Sequence, residues 1–216
     1  MLPDILISNF PLLLRGAGRT LQLSIATALF SSALGLVAAL LRAFGPWPFR
    51  FAVDAYVYVV RGIPLLLLLF FMYYGLPYSG IHLDPIPGGI LVMSIYFGAF
   101  MSEVFRAAIE ALPRAQWDAA RSLGMRLPLI LRIVVLPQAV RLSAPAFINT
   151  CILLIKSTSL VSIIGLSELT MVGRQIVERT FAPFQILLGV ALIYFVICYA
   201  LSRLGRYAEK RMLHAY

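Results

Sequence analysis

Residues 103–141 read EVFRAAIEALPRAQWDAARSLGMRLPLILRIVVLPQAVR. This stretch is long and polar, and Pro113, Pro128 and Pro137 interrupt it. A helical bundle needing only a connection here would use far fewer residues. Ala115 to Gly124 reads as a short helix ended by its glycine. Its paired alanines and Trp117 suit a groove on a partner, and its arginines suit acidic groups there. An amphipathic helix lying on a membrane surface is the other reading, and physics alone leaves both open.

The rest of the chain says what surrounds this segment. Of 216 residues, 61% are hydrophobic and only 12% charged, and the mean hydropathy is +0.92. A soluble domain is about half apolar and about a quarter charged. These charges cannot cover a water-exposed surface of this size, so a soluble enzyme or a disordered chain is excluded. Sixteen of the eighteen basic residues are arginine, and the net charge is +9. The charges flank apolar runs and form no basic tail, so they point to a membrane surface and no nucleic acid. Cys151 and Cys198 lie inside apolar runs as small buried side chains. No basic region precedes the first apolar run, so no cleavable signal peptide is expected.

A helix needs about 20 mostly apolar residues to cross the hydrocarbon core. The expected fold is therefore an all-α integral membrane bundle with five transmembrane helices, at about 18–43, 52–77, 87–111, 137–156 and 182–204. The loop at about 113–136 lies between the third and fourth, and the whole chain, 1–216, forms one domain. The first span carries Ser24, Ala28, Ser31, Gly35 and Ala38 at helical spacing, a face suited to close helix packing. Placing the N-terminus outside leaves 13 basic residues on the cytoplasmic side and 5 on the other. The bias of Lys and Arg toward the inside thus predicts N-out, C-in.

Ionisable groups inside spans are expensive and usually functional. Asn149 and Lys156 are seven residues apart, about 20° apart around a helix. Ser157, Thr158 and Ser159 follow, then Glu168. Asn149, Lys156, Ser157, Thr158, Ser159, Glu168 and Glu103 are the candidates to line a polar path. Lys156 could instead snorkel to phosphates at the interface. Glu103, Arg106 and Glu110 could be a plain charge ladder on one helix. His82 and His214 read as solvated. No Ser/His/Asp set, Cys/His pair or phosphate-binding GxxxxGK[ST] occurs, so no catalytic residue, metal or cofactor is expected.

Asp118-Ala119-Ala120, Gly124 and Leu136-Pro137 resemble the "EAA" loop of binding-protein-dependent ABC importer permeases. That loop reads Glu-Ala-Ala, three residues, Gly, nine residues, Ile, one residue, Leu-Pro, and the spacing here fits throughout. Asp118 stands for the Glu and Val134 for the Ile. Arg61-Gly62-Ile63-Pro64-Leu65-Leu66, Ser102-Glu103-Val104-Phe105-Arg106 and Lys156-Ser157-Thr158-Ser159-Leu160 are similar to segments of one branch, the bacterial polar amino acid permeases. The resemblance covers about residues 15–212. It implies a type I ABC importer permease core in the inner membrane, with Asp118, Ala119, Ala120 and Gly124 coupling it to a cytoplasmic ATP-binding cassette subunit. It further implies a second permease subunit, identical or paralogous, and an extracytoplasmic solute-binding protein. ATP hydrolysis then belongs to the partner. The alternative is a self-sufficient secondary transporter or channel, although no clear internal repeat relates the two halves.

Overall fold

Gly62-Ile63-Pro64 governs the part of the fold that the apolar runs conceal. Proline cannot donate to the helical ladder, and it biases the residue before it toward extended backbone. In the computed structural model, Ile63 is extended, with φ −106° and ψ 130°. The continuous span expected over 52–77 is therefore two helices. They are α2 (Trp47–Gly62) and α3 (Leu65–Phe70), and α3 runs on through a π turn and a 3₁₀ turn to Ser79. The second arm bends 101° away from the first.

The structure describes residues 2–213, with side chains from 5 to 207, so Lys210, Arg211 and His214 lie outside the described side chains. The remaining helices are α1 (Leu2–Phe44), α4 (Pro85–Glu110), α5 (Arg114–Ser122), α6 (Leu127–Ile130), α7 (Leu136–Ser157), α8 (Leu169–Thr180) and α9 (Pro183–Leu213). Among the described residues, four helical runs are long and apolar enough to cross a membrane, and the bent α2–α3 pair, taken as one span, makes a fifth.

Two spans are longer than the apolar runs predict. Helix α1 begins at Leu2 rather than near residue 18, and its 43 residues extend about 65 Å at 1.5 Å per residue. That is about twice the hydrocarbon thickness, and the two halves have different partners. Leu13 and Ala17 pack with Leu169, Ile176, Ile186 and Val190 of α8 and α9. The later half packs on α4. There a Cβ on Gly35 would lie 2.8 Å from the Ser102 backbone nitrogen, so only glycine permits the approach. Ser24, Ser31 and Ala38 are buried on the same face, as the small-residue spacing predicts.

The fourth span likewise starts before 137. Residues 127–164 form one apolar helical run. Leu131–Val135 widens to a π turn immediately ahead of Leu136-Pro137. The π turn absorbs the hydrogen bond that Pro137 cannot make, so the proline interrupts the ladder without ending the helix.

Candidate functional site

The short helix expected between Ala115 and Gly124 is α5. Its end is built by Gly124, whose φ is +73°. The Gly124 N–H donates to Arg121 O at 2.9 Å and the Met125 N–H to Ala120 O at 3.2 Å. This is a Schellman closure, and Ala120 and Met125 also share an apolar cluster, as that motif favours. A Cβ on Gly124 would meet no atom within 4 Å, so backbone conformation, not crowding within the chain, demands the glycine.

The two faces of α5 divide its sequence. Trp117 turns inward onto Phe44, with ring centroids 5.7 Å apart. Ala120 is buried among Ile109, Leu112 and Ile130. Both anchor α5 to the bundle, so of Trp117 and the alanine pair only Ala119 is left fully exposed to a partner. Asp118, Ala119 and Arg121 remain exposed, and Asp118 and Arg121 face each other at 3.8 Å.

Above α5 runs a chain of alternating charges across three helices. Asp54 of α2 pairs with Arg42 of α1 at 2.6 Å, and Arg42 pairs in turn with Glu103 of α4. Glu103 accepts from Arg106 at 2.8 Å, and Arg106 reaches Glu110 at 2.6 Å. Sequence spacing finds the last three residues but cannot find Arg42 or Asp54, which are distant in the chain. Beside them opens a cavity of ≈ 1110 Å³ lined by Arg42, Asp54, Tyr58, Arg61 and Glu103.

The other acidic candidate sits elsewhere. Glu168 is wholly buried and caps the start of α8. It accepts from Thr170 N and Met171 N at 2.9 Å, from Tyr194 Oη at 2.8 Å, and from Thr20 Oγ1 at 3.3 Å. Three of these donors fall on Oε2 and one, Met171 N, on Oε1. Glu168 thereby joins α1, α8 and α9. Thr20 and Arg42 are about 33 Å apart along α1 at 1.5 Å per residue. Glu168 and Glu103 therefore cannot contact the same small molecule.

The remaining candidates lie on α7 and the turn after it. Asn149 and Lys156 are both exposed on α7. Thr158 and Ser159 donate back to Ile155 O at 2.7 Å and Lys156 O at 2.8 Å, holding the 3₁₀ turn Thr158–Ile164. Ser157 is half-buried.

A charged connector presenting α5 from a bundle of five apolar spans matches one known family. Residues 6–214 match the binding-protein-dependent transport system inner membrane component. The chain belongs to that family. Among its relatives, the L-cystine transport system permease protein TcyB of Bacillus subtilis (strain 168) is 37% identical, over 95% of this chain and 88% of its own. The glutamine transport system permease protein GlnP of Escherichia coli (strain K12) is 33% identical, over 94% and 93%. An amino acid ABC transporter solved with histidines superposes with a TM-score of 0.89 at 32% identity, over 95% of this chain and 96% of that one. The MetNI methionine ABC transporter, at 20% identity, shares the fold with a TM-score of 0.82. The permease is thus a multi-pass protein of the bacterial inner membrane with a type I ABC importer permease fold. Family membership replaces the alternative of a self-sufficient secondary transporter or channel.

Proposed function

We propose that the permease forms half of the translocation path of an ABC importer for a polar amino acid, in a pair with a second permease subunit. A cytoplasmic ATP-binding cassette subunit docks on the exposed face of α5, and a solute-binding protein delivers substrate at the opposite end. The permease performs no chemistry, and ATP hydrolysis in the partner biases the spans between two states. A ligand shifts such an equilibrium only by its differential affinity for the states.

The observation carrying this reading is α5 itself. A helix anchored on one face by Trp117 and Ala120, closed by Gly124, and exposing Asp118, Ala119 and Arg121 is a rigid docking platform. Relatives named for cystine, glutamine and arginine transport support the amino acid class. Asn149 and Lys156 are the best remaining candidates for the path, because both are exposed on one span. An amino acid carboxylate leaving water needs a partner, and Lys156 offers one.

The complex of permease, ATPase and binding protein in vesicles should import an amino acid from a panel that includes L-cystine, L-glutamine and L-arginine. Uptake should stop when ATP is withdrawn with ion gradients intact. Uptake surviving that withdrawal would refute the reading. For the N-out topology, single cysteines at Ser8 and Ser79 should react with an impermeant thiol reagent from outside. One at Ser122 should not, and its labelling in intact cells would reverse the orientation.

A further inference from the structure

Arg61 is the cation of the inner cavity that joins no ion pair. Its guanidinium lies over the Phe100 ring, 5.1 Å from the centroid, and pairs with no carboxylate among the described residues. Phe100 and Glu103 are three residues apart on α4, neighbours on one helix face. Arg61 therefore rests one turn from a carboxylate that already holds another arginine. Arg61, Arg42 and Glu103 all line the ≈ 1110 Å³ cavity, so open space adjoins each of the three.

The backbone supplies the movement. Arg61 is followed at once by the Gly62-Ile63-Pro64 break, where α2 turns 101° from α3. On α2 only Val57 and Val60 are buried. The helix is thus held by a narrow apolar contact, by the Tyr56 hydroxyl donating to Ile95 O at 2.6 Å, and by the Arg42–Asp54 pair. The Arg42–Glu103 pair is only about a fifth exposed, and Glu103 also holds Arg106, so Arg61 would join an existing arginine–carboxylate cluster. The two placements of Arg61, over Phe100 and beside Glu103, are the two discrete arrangements that a bistable element requires.

We propose that Glu103 exchanges Arg42 for Arg61 during the transport cycle as α2 shifts by one turn along α4. Arg61, Arg42 and Glu103 are then positioning residues that tie the bend of α2 to the coupling segment. Glu103 stays joined through Arg106 to Glu110, and α4 runs from there into Pro113 and α5. A displacement of α5 by the ATPase reaches Glu103 along this line. In the second state Arg42 keeps Asp54 alone. The proposal rests on reading the protein as an importer permease with two states.

The test uses the complete complex, with nitroxide labels at Ala52→Cys and Ala107→Cys in a version lacking Cys151 and Cys198. Both label positions are exposed. Trapping the ATPase with ATP and vanadate should move the label–label distance by about one helical turn, roughly 5 Å. Arg61→Gln should abolish that shift and lower uptake about tenfold while ATP hydrolysis continues, and Arg61→Lys should restore most of it. Phe100→Leu, which removes the resting place of Arg61 without removing a charge, should move the untrapped distance toward the trapped one. This variant and the parent decide the matter if Arg61→Gln fails to insert. An unmoved distance in the trapped parent, or Phe100→Leu leaving the untrapped distance unchanged, overturns the exchange. So does an Arg61→Gln complex that transports normally. Absence of ATP-dependent uptake in the parent complex would instead overturn the importer reading itself.

Discussion

The two ends of the bundle handle a carboxylate in opposite ways. At the α8 end, Glu168 is fully buried and bound by four neutral donors from three segments of chain. At the α5 end, Glu103 is partly exposed, shared between two arginines, and borders a cavity that holds a third. Backbone N–H groups at the start of α8 cannot leave their positions without unfolding that helix end, and Tyr194 is half-buried between Glu168 and Thr170. Arginine side chains on separate helices can change partners. The first arrangement makes one end of the molecule rigid, and the second offers the exchange proposed above. The rigid end gathers α1, α8 and α9, while the other joins α1, α2 and α4.

The largest effect tests the rigid end. Glu168→Ala removes the α8 cap and takes the acceptor from Thr170 N and Met171 N, so it should destabilise the protein by about 2–4 kcal/mol. The measurement is thermal unfolding of purified protein in detergent. Glu168→Gln should also destabilise, because its amide nitrogen would face backbone donors. A Glu168→Gln protein of unchanged stability that transports poorly would mean that Glu168 meets substrate, and the contrast between the two ends would collapse.

The next effect belongs to the α5 end. Gly124→Leu forces a branched side chain into left-handed backbone, at about 1–2 kcal/mol, and it should loosen the end of α5. Insertion of the spans should survive, while co-purification of the ATPase and uptake should both be lost. Asp118→Lys should weaken the same association more mildly, since Asp118 is exposed and joined only to Arg121. If both variants retained the ATPase at parental levels, α5 would not be its platform.

The smallest effect sharpens the comparison within the α8 end. Lys156 is exposed close to the rigid cluster but takes no part in it. Lys156→Met should leave the unfolding temperature unchanged and cut uptake about tenfold, equivalent to about 1.4 kcal/mol. Unchanged uptake would assign Lys156 to the lipid interface.

Much of this architecture was legible from the residues. Apolar run length gave the number of spans, because the hydrocarbon core admits only runs near one length. The small residues of α1 gave its packing face, and Gly124 gave the left-handed turn. The break at Gly62-Ile63-Pro64 was visible as a glycine and a proline two residues apart. It was hidden by the unbroken hydropathy around it, since a hydropathy window cannot register backbone geometry. The roles of Glu103 and Glu168 were not legible. Both are carboxylates in apolar surroundings, and their difference lies in partners 61 and 148 residues away, Arg42 and Thr20.

The sequence by itself determined what depends on local chemistry and on lipid. Composition settled that the chain lives in a membrane, proline and glycine punctuation outlined α5, and the Asp118–Pro137 pattern pointed to the family. Only the tertiary structure decided which partners each charged group has. An electrostatic contact depends on distance in space, and that distance is set by how the helices pack.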